Sequence, residues 1–199
     1  MGEILKLGFV LMAVALVAAV ALGFVNSKTE PIIEEQQRQQ RIEAMMQVAG
    51  SLSETLPAEE MAFDTLDIEA NPYAAVDESL TVVHFSSPMD GPLGYTFIAY
   101  GKGYSSTVQT MVAVDMGGTV QAATILFQQE TPGLGAKCEG GWVSQMIDKT
   151  AESCSVVKDG GGVESITGAT ITSRAVSGSI RLGLEAMEAA GLFGEGGGL

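Results

Sequence analysis

Two short segments bring hydroxyls, glycines and a carboxylate together in ways that could do chemistry. The first is Glu130-Thr131-Pro132-Gly133-Leu134-Gly135. Closely spaced glycines and a proline shape a tight loop, and glycine lets backbone N–H groups come close to a ligand. An ordinary turn has the same composition. The second is Glu164-Ser165-Ile166-Thr167-Gly168-Ala169-Thr170, followed by Ile171-Thr172-Ser173. Its small residues and hydroxyls crowd the expected start of an amphipathic helix. A helix start offers N–H groups without acceptors and the positive end of a dipole, which stabilise an anion such as a phosphate. A Ser/Thr-rich N-cap looks the same, and spacing leaves both accounts standing.

Other chemistries find little support. A hydrolytic triad needs a base beside its nucleophile. The single histidine, His84, sits in the strand-like run VVHFSS and reads as a half-exposed strand residue. There is no GxGxxG opening a helix and no GxxxxGK[ST]. Cys138 and Cys154 lack CxxC spacing, and a zinc site would need further ligands. They fit one disulfide or two free thiols equally well. Redox chemistry would therefore need a borrowed cofactor. The net charge of -14 repels phosphate backbones, which argues against a nucleic-acid partner. It suits solubility, or docking to a basic redox protein.

These segments need elements to hold them. Residues 7–25 form an uncharged apolar run, about 28 Å long as a helix and enough to cross a hydrocarbon core. We read it as an anchor rather than a cleaved signal, because it continues past the Ala19-Val20-Ala21 site. Ser27-x-x-Glu30 with Pro31 resembles a capping box, so a second helix is expected to start there. Ile42, Met45, Met46 and Ala49 recur at helical spacing. Strands are expected at 80–85, 95–100, 108–114 and 120–127, with a Gly117-Gly118 hairpin between the last two. A short helix is expected at 142–150. Residues 172–190 place Val176, Ile180, Leu184 and Met187 on one helical face, weakened by Gly178 and Gly183. The class is α+β: an N-terminal transmembrane helix, then a mainly antiparallel sheet flanked by helices. The expected divisions are an anchor at 1–27, a helical stalk at 28–50, a domain at 51–192 and a flexible tail at 193–199.

A resemblance adds to this. Thr167-Gly168-Ala169-Thr170 resembles the (S/T)GAT flavinylation motif of the FMN-binding domains in the Rnf and Na+-translocating NADH:quinone reductase complexes. ETPGLG resembles that family's second signature, and the order of anchor, stalk, strands, ETPGLG, TGAT and helix also fits. The compact length is similar to the G subunit of Rnf. The motif usually begins with Asp, where this chain has Glu164. The resemblance implies FMN joined as a phosphoester to Thr170, placed there from FAD by a flavin transferase, with Thr172 as the fallback acceptor. Thr167, Gly168 and Ala169 would flank the phosphate. Glu130, Thr131, Gly133, Leu134 and Gly135 would lie near the isoalloxazine, with Lys137 either stabilising reduced flavin or simply solvated.

The implied function is electron relay in a membrane complex that couples ferredoxin oxidation to Na+ or H+ translocation. The implied partners are the other Rnf-type membrane subunits and a multihaem cytochrome or other external carrier. The FMN domain is expected on the extracytoplasmic side of the cell membrane. Two alternatives remain at this point: an anchored flavin domain of another respiratory reductase or regulator, and a non-redox extracytoplasmic binding domain.

Overall fold

The structure, a computed structural model, describes residues 2–75, 79–89 and 91–194. From residue 195 onward the expected tail lies outside the described residues. The chain divides into two units, Met1–Gln40 and Arg41–Leu199.

The first unit is helical. Helix α1, Gly2–Ala49, contains the apolar run, whose side chains are exposed along its length. It is long and apolar enough to cross a membrane. The expected helix start at Ser27 is corrected: α1 passes through it unbroken, with Pro31 inside. Ser27 and Thr29 turn their hydroxyls back onto the carbonyls of Phe24 and Val25, at 2.9 and 3.1 Å. Neither therefore offers its oxygen to an N-terminal amide as a cap.

The second unit is built on five antiparallel strands in sequential order: β1 Ala62–Ile68, β2 Leu80–Ser87, β3 Gly91–Lys102, β4 Thr107–Asp115 and β5 Val120–Phe127. Alternation sends successive side chains to opposite faces. Tyr95, Phe97, Ala99, Val108, Val112 and Val114 point to one face and are buried there. Helix α2, Thr170–Ala189, covers that face with Val176, Ile180, Leu184 and Met187, none of which retains exposure. Burying four such side chains contributes on the order of 6–12 kcal/mol before entropy is subtracted. Gly183, expected to weaken α2, also permits the close approach. A Cβ there would collide with the Phe97 ring and the Tyr73 hydroxyl. Tyr73 in turn donates a hydrogen bond to the carbonyl of Ser179.

The opposite face packs Met111 and Ala113 against Val48, and Phe85 against Ala49. The last turns of α1 thus belong to this unit.

Two local features depart from expectation. Strand β1 is additional to the four expected strands. It is an edge strand, largely exposed, with Asp64 and Asp67 interleaved, so it lacks the apolar alternation that marks a half-buried strand. The helix expected at 142–150 shrinks to a 3-10 turn, Val143–Met146. Asp148 takes a left-handed φ of 62°. Its N–H donates to the Val120 carbonyl, and the Val120 N–H donates to the Lys149 carbonyl, each at 2.9 Å. Those groups are tied to the start of β5 rather than to a helix.

Candidate functional site

The start of α2 is unusual in what it lacks. Its N-cap residue is Ala169, which has no side-chain oxygen to cap with, and the first turn holds no acidic side chain. The N–H groups of Thr170, Ile171 and Thr172 find no acceptor among the described residues; the first helical bond is Ser173 N–H to the Ala169 carbonyl, 3.0 Å. The N-cap account of this Ser/Thr-rich stretch therefore does not apply: no hydroxyl caps the helix. The Thr170 hydroxyl, on a half-buried residue, also makes no hydrogen bond among the described residues.

The approach to that start is held firmly. Gly168 has a φ of 80°, a value suited to glycine. Buried Ser173 staples the turn: its hydroxyl donates to the Ala169 carbonyl at 3.0 Å and accepts from the Ile166 N–H at 2.9 Å. On the other side, the Trp142 indole N–H donates to the Glu164 carbonyl at 2.6 Å, and the Glu164 N–H donates to Gln145 Oε1 at 2.9 Å. The side chain of Glu164 is exposed. The segment is fixed at both ends, and its last hydroxyl is left free.

Glu130 stands behind it. The residue is only 5% exposed. Its Oε2 accepts from the Thr172 hydroxyl at 2.6 Å and from the Tyr104 N–H at 3.0 Å. Its Oε1 accepts from the N–H groups of Ser105 and Ser106, each at 2.9 Å, and from the Ser106 hydroxyl at 3.2 Å. Burial alone would raise this carboxyl. The hydrogen bonds from Thr172, Ser105, Ser106 and Tyr104 outweigh it and bring the pKa from an ordinary 4.5 down to about 2. Gly135 packs so tightly here that a Cβ would lie 2.8 Å from both Glu130 Cβ and Thr172 Oγ1.

A cavity of about 540 Å³ opens between these parts. Glu130, Thr131, Leu134 and Gly135 line it from the loop, and Gly168, Ala169, Thr170 and Thr172 from the helix start. Gly133, Thr167 and Lys137 do not line it, and Lys137 sits on the 3-10 turn Gly135–Glu139. Sequence reasoning missed Ile171, hidden among the hydroxyls, and Tyr104, which also line the cavity. The tyrosine lies more than twenty residues before the loop it meets, and its only local signal was the Gly-Tyr-Ser-Ser turn between two strands. His84 lies elsewhere, half-buried on β2 beside the Tyr95 ring. Cys138 and Cys154 are both free and buried. Burial pushes their thiols up to about 11 and about 12, so neither offers a thiolate near neutrality.

A helix start with three free amides, an unbonded hydroxyl on its first residue and a cavity above it make a place for a phosphate-bearing ligand. Together with the sheet behind, this defines the class, an α+β domain built to hold a phosphate-bearing ligand and preceded in the chain by one long apolar helix. The model of the FMN-binding domain family matches residues 103–185, the stretch that contains every wall of the cavity, and the RnfG N-terminal region matches residues 1–48. The chain is 32% identical to the G subunit of the Na(+)-translocating ferredoxin:NAD(+) oxidoreductase complex of Acetobacterium woodii, over 92% of this chain and 90% of that one. It is 30% identical to the G subunit of the ion-translocating oxidoreductase complex of Shewanella amazonensis, over 87% and 83%. Two solved structures share the fold. The C subunit of the Na(+)-translocating NADH-quinone reductase of Parabacteroides distasonis superposes with a TM-score of 0.54 at 21% identity, covering 77% of this chain and 93% of that one. NqrC of Shewanella oneidensis gives 0.60 at 18%, covering 77% and 95%. The chain belongs to the G-subunit family of the ion-translocating Rnf oxidoreductase complexes.

Proposed function

We propose that this protein holds FMN joined through its phosphate to the Thr170 hydroxyl, and that it relays electrons through that flavin on the extracytoplasmic side of the membrane. The observation that carries the reading is the coincidence of a free Thr170 hydroxyl with three free amides at an uncapped helix start. The residues fit the group. A phosphodiester keeps one negative charge, which the amides of Thr170, Ile171 and Thr172 and the helix dipole stabilise. Gly168 and Ala169 present no bulk at the approach. Thr172, the other nearby acceptor, is 1% exposed and already donates to Glu130.

In the attachment step, Thr170 Oγ1 forms an O–P bond to the FMN-side phosphorus of FAD. The pyrophosphate bond breaks, AMP leaves and the hydroxyl proton is released; a flavin transferase is the expected catalyst. When bound, the flavin supplies reversible electron exchange. The chain's residues hold and orient it: Leu134 and Ile171 offer apolar walls, and Thr131 a hydroxyl. Covalent linkage suits an exported domain, where a dissociated flavin would be lost. Helix α1 would anchor the domain beside the other Rnf subunits. Ferredoxin oxidation coupled to Na+ or H+ movement would be the work of the whole complex. A basic carrier such as a multihaem cytochrome suits the acidic surface as an external partner, and such binding should weaken as salt is raised.

The test is in-gel flavin fluorescence under denaturing conditions, with the chain co-expressed with a flavin transferase. The native chain and Thr172→Ala should give a fluorescent band and Thr170→Ala none. A band that survives in Thr170→Ala but vanishes in Thr172→Ala would overturn the assignment.

A further inference from the structure

The four-residue turn between β3 and β4 holds an exposed aromatic ring on a firmly fixed backbone. Tyr104 is 73% exposed, yet three successive amides of its turn, those of Tyr104, Ser105 and Ser106, end on the Glu130 carboxylate. The Gly103 N–H closes the turn onto the Ser106 carbonyl at 2.8 Å. A Cβ on Gly103 would lie 2.5 Å from Glu130 Oε1, so the turn has no side chain where the carboxylate enters. The Ser106 hydroxyl, besides donating to Glu130, accepts from the Gln129 N–H at 2.8 Å. A surface hairpin whose ring is exposed is thus tied to one carboxylate through three of the four amides of its turn.

What that side chain faces explains the commitment. Tyr104 lines the cavity that holds Thr170. Leu134 and Ile171, 42% and 51% exposed, line it from two other elements. Large apolar groups ringing one cavity and left exposed mark a binding surface. A planar, conjugated ligand rests well on an aromatic side chain, with ring centroids roughly 4.5–7 Å apart.

We propose that Tyr104 supplies the aromatic face against which the isoalloxazine of an FMN held at Thr170 rests, and that Glu130 is the positioning residue that presents it. This rests on the reading of Thr170 as the flavin acceptor. Glu130 does not touch the flavin in this account. It acts through the turn at 103–106 and, through Thr172, ties that turn to the helix start.

The experiment uses the full-length flavinylated chain and reads flavin emission per bound flavin, with attachment measured by intact mass. A phenol in contact with excited flavin donates an electron and quenches its emission; a benzene ring does not. Tyr104→Phe, which keeps the ring and the turn, should raise emission several-fold, and Tyr104→Trp should keep it low. Glu130→Gln should raise emission part of the way in the native background and not at all in the Tyr104→Phe background, because its effect passes through Tyr104. If Glu130→Gln does not accumulate, Ser106→Ala, which removes a donor to the same carboxylate, provides the same comparison. Equal emission from native and Tyr104→Phe chains that both bear flavin overturns the Tyr104 assignment and leaves the Thr170 reading intact. An equal rise from the Glu130 or Ser106 change in both backgrounds overturns the positioning role. Absence of flavin from the native chain overturns the Thr170 reading and this inference with it.

Discussion

The loop around Glu130 and the helix start at Thr170 face one cavity, but they treat their hydrogen-bonding groups in opposite ways. At Glu130 both carboxylate oxygens are spent on the protein itself, on four residues from two other segments. At Thr170 three amides and a hydroxyl are left without partners among the described residues. The strongly shifted acid is tied into the scaffold, and the ordinary threonine is where we propose the ligand chemistry takes place. A perturbed pKa in a cleft often marks a reactive group. Here it marks a carboxylate saturated with donors, with no proton to give near neutrality.

That contrast can be broken most sharply by removing Thr170. Thr170→Ala should abolish covalent flavin altogether. Its stability should shift by less than about 0.5 kcal/mol, because the hydroxyl holds nothing in the fold. A thermal melt beside a denaturing gel checks both.

Glu130 should behave in reverse. Its folded pKa of about 2, against an ordinary 4.5, corresponds to roughly 3 kcal/mol of stability. Because the folded value is depressed, that stability is fully present above pH 4.5 and is lost as the pH falls toward about 2. Glu130→Gln should therefore cost roughly 3 kcal/mol at pH 7, and the gap from the native chain should narrow below pH 4.5. Chemical denaturation at pH 7 and pH 3 measures it; a gap independent of pH would remove the scaffold role.

A smaller effect is expected at Gly135→Ala, about 2 kcal/mol, from a Cβ forced against Glu130 and Thr172. The smallest is Thr172→Val, which removes one hydrogen bond to a charged group and should cost about 1.5 kcal/mol while leaving the flavin attached. Loss of flavin in Thr172→Val at unchanged stability would blur the division between the two regions.

Sequence patterns carried the parts of this molecule whose causes are local. The spacing of Val176, Ile180, Leu184 and Met187 announced a buried helical face, and all four are fully buried. Strands β2 to β5 announced themselves through Val, Ile, Thr and aromatic residues. Strand β1 did not, because an exposed edge needs no apolar alternation. The break expected at Ser27 failed because hydroxyls inside a long helix can bond backward as easily as they cap. At the site, a helix start rich in small residues was legible, but the absence of any cap was not. A cap depends on where the turn ends, and Gly168 and Ser173 set that. The clamp from residues 104–106 onto Glu130 is a long-range contact between two loops, and no local pattern encodes it.

The most direct test of the account is peptide mass mapping of the full-length chain matured with a flavin transferase. The peptide containing Thr170 should gain the mass of FMN less one water, with fragmentation placing it on that residue. An unmodified Thr170 peptide, or FMN mapped to Thr172 or any other residue, would contradict it.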